Sequence, residues 1–397
     1  VCRRPAYVAL LGKYPEAFGR VLRILDWSKW PADYLMQHPV VLDELLDGQL
    51  LEPTDYESWA RQLRERVDAA RHDGEPDVER QMDIVREAHH AQVFRLMAQD
   101  LAGRLTVERV SDHLSELADR VLGLAIELVW ATLRLRFRDT PRFAAVAYGR
   151  LGGKELGYTS DLDLVFLYDD DDERAPEAYA HLAQRLSGWL STRTAAGLLF
   201  EIDLRLRPNG AAGMLVSRLA AFEAYQRESA WVWEHQALTR ARFSAGDREI
   251  GERFEEIRRA ALSQRRELPK LRDEVIAMRR KMHEGHPNRS ELFDLKHDRG
   301  GMVDIEFLVQ YLVLGHSCDH PTLLDNAGNI ALLGRAAACG LVDAGLATRT
   351  ADAYRRYRRL QHQLKLDDAA YARVEPGVVA AEREAVTGLW DAVLGTR

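Results

Sequence analysis

Gly149-Arg150-Leu151-Gly152-Gly153-Lys154-Glu155-Leu156-Gly157-Tyr158-Thr159-Ser160-Asp161-Leu162-Asp163-Leu164-Val165-Phe166-Leu167-Tyr168 joins a glycine turn to an apolar strand that opens on two carboxylates. Alternate residues of a strand share a face and rise ~3.3 Å each, so Asp161 and Asp163 project together with Cα atoms ~6.6 Å apart. A second stretch, Phe200-Glu201-Ile202-Asp203-Leu204-Arg205-Leu206-Arg207-Pro208-Asn209-Gly210, supplies a third carboxylate. Read as a strand, it places Asp203, Arg205 and Arg207 on one face and Ile202, Leu204 and Leu206 on the other. If the two strands are neighbours, the three carboxylates converge, and their repulsion is unfavourable unless a divalent cation neutralises it. Hard oxygen ligands in that number suit Mg²⁺ or Mn²⁺, ions that take remaining ligands from water and phosphate.

One Asp at a strand start is commonly a turn or cap residue. Burial separates this case from that one. Leu162, Leu164, Val165, Phe166 and Leu167 make the first run apolar on both faces, as in a covered central strand, and charges opening such a strand are costly unless ligated or paired. Upstream, residues 143–148 read as a strand running into Gly149, Gly152 and Gly153. These glycines are expected to let backbone N–H groups approach phosphate, with a helix N-terminus following from Lys154. Ser160 suits either a turn cap or a phosphate ligand, and Arg205 and Arg207 either a phosphate contact or a carboxylate pair.

The 397 residues suffice for two or three cores, and 46% hydrophobic content is ordinary for a soluble chain. No apolar run approaches the ~18 residues of a membrane span, and no signal-peptide layout is present, so a cytoplasmic protein without a membrane role is expected. Cys2, Cys318 and Cys339 suit a reducing compartment and offer no zinc motif. The net charge of −7 argues against nucleic acid as main partner.

The expected fold class is α+β and predominantly helical, with a small mixed-sheet core. An N-terminal helical region (1–138) and a C-terminal helical bundle (249–397) are expected to flank a catalytic core (139–248). From Val107, apolar residues at Val110, Leu114, Leu117, Val121, Leu124 and Leu128 mark one helical face with Thr106 as N-cap. Comparable patterns appear near 16–26, 56–71 and 78–100, and again near 249–262, 269–284, 301–315, 327–340, 343–366 and 376–395. Trp231 and Trp233, on a helix with Glu234 and Arg240, read as core rather than as a base-stacking platform.

Gly152-Gly153, Asp161-x-Asp163 and Asp203 resemble the signature of the nucleotidyltransferase superfamily whose catalytic core is like that of DNA polymerase beta. Longer stretches, 149–167, 203–217, 230–242 and 294–307, are similar to the bacterial glutamine synthetase adenylyltransferases. Ser28-Lys29-Trp30 and residues 38–46 fit the helical segment preceding the core. Members carry two related halves, one attaching AMP to a tyrosine of glutamine synthetase and one removing it by phosphorolysis. Residues 230–238 and the Gly213-Met214-Leu215-Val216 stretch resemble the C-terminal, attaching half. Beginning at Val1 with one such site, the chain reads as an excised half.

The resemblance implies ATP as substrate, Mg²⁺ or Mn²⁺ held by Asp161, Asp163 and Asp203, and glutamine synthetase as protein substrate. It further implies PII signal protein and glutamine as regulators. Gly152, Gly153, Ser160, Arg205, Arg207, Arg240 and Lys296 are the expected nucleotide contacts. Asp304 and Glu306, two apart on a helix, cannot share a face, so at most one is expected to turn inward. The rival readings are phosphorolytic deadenylylation, uridylyl transfer to PII protein, and a regulatory scaffold around a dead core.

Overall fold

The computed structural model describes residues 19, 29–38, 41, 44, 50–325 and 328–395. The helix expected near 16–26, Ser28, and most of the 38–46 stretch lie outside them. Among the described residues the sheet is preceded by the helices α1 (Lys29–Gln37), α2 (Tyr56–Asp68), α3 (Val78–Leu101) and α4 (Val107–Ala131). Each of the last three starts where a short polar side chain accepts a backbone N–H of the first turn: Asp55 from Glu57 and Ser58, Asp77 from Arg80, and Thr106 from Arg109.

The mixed sheet follows, with β1 (Phe143–Ala147), β2 (Leu162–Tyr168), α5 (Ala175–Ser191), β3 (Ile202–Asp203), β4 (Val216–Arg218), α6 (Leu219–Glu228), α7 (Val232–Leu238) and β5 (Arg242–Gly246). Its order is β3-β2-β1-β5, with β4 pairing the far end of β2. β1 runs antiparallel to β2 and β5, whereas β3 and β4 run parallel to β2. The bundle comprises α8 (Arg248–Leu262), α9 (Leu268–Gly285), α10 (Met302–His316), α11 (Asn329–Ala338), α12 (Ala344–Leu366) and α13 (Ala380–Leu394). Among the described residues no helix is long and apolar enough to cross a membrane. The predominantly helical α+β class is as expected.

Strand alternation divides the interior into two cores. Phe143, Ala145, Ala147, Leu162, Leu164 and Phe166 pack with α3, α4 and α5, while Ala144, Val146, Val165 and Leu167 pack with α8, α10 and α13. Asp163 therefore shares the face of Val165 and Leu167, toward the C-terminal helices. Arg86, fully buried on α3, positions the chain entering β3. It donates to the Trp189 and Thr192 carbonyls at 2.6 and 2.7 Å and to Gly197 at 3.1 Å, satisfying the C-terminal end of α5.

Gly152 lies where the chain passes between β1 and the end of α7. A Cβ there would overlap the Arg240 carbonyl oxygen and come within 2.6 Å of that of Ala147. Gly188, within α5, has open space around it. Gly152→Ala is expected to lower the unfolding free energy by ~3 kcal/mol or more, since backbone must shift, and Gly188→Ala to raise it by ~0.5–1 kcal/mol. Thermal or urea denaturation of the two variants checks both signs.

Candidate active site

In the β2–β3 ladder Leu162 pairs with Ile202 and Asp163 with Asp203, so two carboxylates are direct neighbours and Asp161 enters from the residue before β2. Burial, then the charges of Asp161 and Asp203, push the Asp163 carboxyl up to about 6 from 3.8, partly offset by Arg240 and Lys296. Asp203 moves down instead, chiefly because Arg205 hydrogen-bonds it. Its carboxylate accepts the Arg205 backbone N–H and Nε, both at 2.8 Å, and pairs with the terminal guanidinium nitrogen. The opposite shifts of adjacent carboxylates have two causes: Asp163 is raised first by its burial and then by the neighbouring aspartates, and Asp203 is lowered by the arginine that hydrogen-bonds it.

Several sequence expectations require correction. β3 ends at Asp203, and residues 205–209 form turns, so Asp203, Arg205 and Arg207 do not lie along one strand face. Arg207 donates to the carbonyls of Leu204, Ala211 and Gly213 at 2.6, 3.1 and 3.1 Å, and thereby shapes this loop. Gly152 and Gly153 spend their N–H groups within one helical turn, on the carbonyls of Tyr148 and Gly149 at 2.8 and 3.1 Å. Close packing against Ala147 and Arg240 explains these glycines, and no helix begins at Lys154. Ser160 closes the turn before Asp161 by accepting the Gly157 N–H at 3.0 Å. Trp231 and Trp233 are 69% and 38% exposed, outside either core.

Arg240 is buried, its guanidinium held by Glu155 at 2.5 Å and Glu306 at 3.1 Å. Glu155 also accepts the Asn329 backbone N–H at 3.0 Å and the Tyr354 hydroxyl at 2.7 Å, joining the glycine turn to α11 and α12. Arg240 therefore acts as a fixed charge behind the site. Asp304 pairs with buried Arg279 at 2.6 Å and accepts the Gly300 N–H at 2.8 Å, so both acids of this helix turn inward, toward different arginines.

A cleft of about 510 Å³ opens beside Asp161, between the core and the bundle. Lys296 lines it, as do Ser160 and two cations that sequence reasoning missed, Arg150 and Lys365. Arg150 stood within the quoted glycine turn, but Lys365 lies about 200 residues from the aspartates and carries no motif.

Among the described residues no three acidic, imidazole or thiol groups stand close enough to hold a metal ion as placed. Asp203 is committed to Arg205, whose side chain is 80% exposed and can move away without disturbing a core. The all-carboxylate donor set, and a carboxyl raised by burial and by its acidic neighbours, fit a hard divalent cation once that pair opens.

The family model for glutamate-ammonia ligase adenylyltransferase matches residues 18–257, which include all three aspartates. The chain belongs to the glutamate-ammonia ligase adenylyltransferase family. Residues 276–371 match a second model, that of PII-uridylyltransferase. Similar proteins named bifunctional glutamine synthetase adenylyltransferase/adenylyl-removing enzyme occur in Aromatoleum aromaticum, 56% identical over all of the chain and 42% of the relative, and in Ralstonia nicotianae, 58% identical over the same shares. That of Nitrosomonas europaea is 49% identical over 99% of the chain and 44% of its own length. The chain thus spans about two fifths of these relatives.

In this member of the adenylyltransferase family the ion-free Asp163 carboxyl binds its proton more tightly folded than unfolded. Its contribution to stability is present below the unfolded pKa near 4 and lost as pH rises through about 6. Asp163→Asn should stabilise the ion-free chain by ~1–2 kcal/mol at about pH 8, allowing for solvent screening, and give no gain below about pH 4. Saturating Mg²⁺ should erase the gain, as read by Tm across pH.

Proposed function

We propose that this chain transfers the AMP moiety of ATP to a tyrosine hydroxyl of glutamine synthetase and releases pyrophosphate. The observation carrying this reading is the Asp163–Asp203 register pair with Asp161 beside an open, cation-lined cleft. Membership in the adenylyltransferase family supports it, as do the relatives' names.

Asp161 and Asp163 would hold a Mg²⁺ or Mn²⁺ ion, and Asp203, released by Arg205, would share in a second. Such an ion, when bound, neutralises phosphate oxygens and lowers the pKa of a coordinated hydroxyl, which a tyrosine of pKa ~10 requires. The chain's own groups do the rest. Lys296 faces the phosphates, Arg240 holds a fixed positive charge behind Asp163, and Arg205, freed from Asp203, is available to an oxygen of the α-phosphate. The tyrosine hydroxyl gives up its proton to solvent, its oxygen bonds to the α-phosphorus as the bond to the α,β-bridging oxygen breaks, the electron pair leaves on pyrophosphate, and no covalent enzyme intermediate is needed. PII protein and glutamine as regulators, and a cytoplasmic location, belong to the same proposal.

Phosphorolytic removal of AMP is a second reading, because the relatives' names cover both activities. Uridylyl transfer is a third, favoured only by the match at 276–371. Incubation with α-labelled ATP or UTP, and with glutamine synthetase or PII protein, separates them. The expected result is label from ATP on glutamine synthetase, reduced ~100-fold or more by Asp161→Asn. Undiminished transfer by that variant contradicts the role of the aspartates. Label only from UTP, or ADP formed from AMP-protein and phosphate, selects a rival.

A further inference from the structure

We propose that Arg150, Lys296 and Lys365 form the subsite for the β- and γ-phosphates of the nucleotide, and that pyrophosphate departs through the cleft they line. The proposal rests on the adenylyl-transfer reading for the identity of the ligand and adds to it where the leaving group is held. It also assigns α12, far from the aspartates in sequence, a direct part in binding.

The three cations come from separate elements: the helical turn after β1, the loop following Asp294, and the last turn of α12. All line the cleft whose wall also includes Asp161. None of the three has a carboxylate within ion-pair distance among the described residues, in a chain of net charge −7 whose surface arginines are mostly paired. Arg373, the other cation of this cleft, is by contrast paired with Asp294 at 3.3 Å. Arg150 is held by neutral oxygens only, Gln361 Oε1 at 2.8 Å and Ser160 Oγ at 3.5 Å, which aim the guanidinium and leave its charge uncompensated.

Three like charges converging on one concavity repel one another, and a single multivalent anion relieves the repulsion. His362 and His297 of the same wall add no cation at neutral pH. Burial, then neighbouring cations, lower His362 to about 3 and His297 to about 4, with Arg150 acting on the first and Lys296 on the second. The cleft volume of about 510 Å³ is of the size that takes a nucleotide.

Polarity along the cleft follows. Asp161 lines the same cleft as Arg150, Lys296 and Lys365, so the carboxylate end and the cations share one concavity. A triphosphate whose α-phosphorus lies at the aspartates would point its β- and γ-phosphates toward Arg150 and Lys365. When the tyrosine oxygen bonds to the α-phosphorus, the electron pair of the broken bond leaves on pyrophosphate, and these cations meet the charge that develops there.

The test is binding of ATP, AMP and inorganic tripolyphosphate, each with Mg²⁺, to the chain and to its Lys365→Met, Lys365→Arg and Arg150→Met variants. Lys365 is exposed and its replacement leaves both cores intact. Either Met variant should weaken ATP and tripolyphosphate ~10-fold or more while AMP changes less than ~2-fold, and Lys365→Arg should restore most of the loss. Equal weakening of ATP and AMP, or no weakening of ATP, overturns the subsite. If ATP binds and AMP transfer proceeds with the Met variants unaffected, the subsite alone falls. If tripolyphosphate binds through these residues but neither ATP nor AMP binds, the subsite stands and the adenylyl-transfer reading falls.

Discussion

Like charge held at strand spacing is the constraint around which this structure is organised. Pairing Asp163 with Asp203 across a parallel ladder, with Asp161 just outside it, is electrostatically unfavourable, and the sheet nevertheless enforces it. The ladder is fixed by apolar packing on both faces of β2, so the aspartates cannot separate without disrupting two cores. The structure's response is local. Arg205 satisfies Asp203, and Asp163 is left with a raised affinity for protons. A site that favours binding positive charge in this way favours a divalent ion still more.

The second organising interaction is the Glu155–Arg240 pair. Buried ion pairs are weak evidence for stability because desolvation offsets attraction, and this one is better understood by what it connects. Glu155 belongs to the segment following the glycine turn, Arg240 to the approach to β5, Glu306 to α10 and Tyr354 to α12. The C-terminal helices are thereby locked onto the mixed sheet, and Lys296 and Lys365 line one cleft with Asp161. Removing one partner would leave a buried charge uncompensated, so the whole cluster acts as a unit.

The helices were legible because their signals are local. Thr106 caps α4, Asp247 and Asp343 cap α8 and α12, and the apolar spacing between caps marks the buried face. The neighbouring placement of β2 and β3 entered the sequence reading only as a condition, which the ladder meets. Where the pairing stops was not legible. Alternation carries no information on strand length, and Arg207, by taking the Leu204 carbonyl, turns the chain one residue beyond Asp203. Arg240 was misread because its partner Glu155 lies 85 positions away. The same holds for Lys365, which acquires significance only from the fold. Trp231 and Trp233 resemble core residues in composition, yet the short α7 presents both to solvent.

The account depends on divalent ions drawing Asp203 away from Arg205 and into company with Asp161 and Asp163. Anomalous diffraction from crystals grown with Mn²⁺ and a non-hydrolysable ATP analogue measures this directly. The expected result is manganese density ligated by Asp161 and Asp163, with Asp203 turned toward it and the Arg205 pair broken. Manganese bound elsewhere, or an Asp203–Arg205 pair that persists with nucleotide bound, would contradict the account.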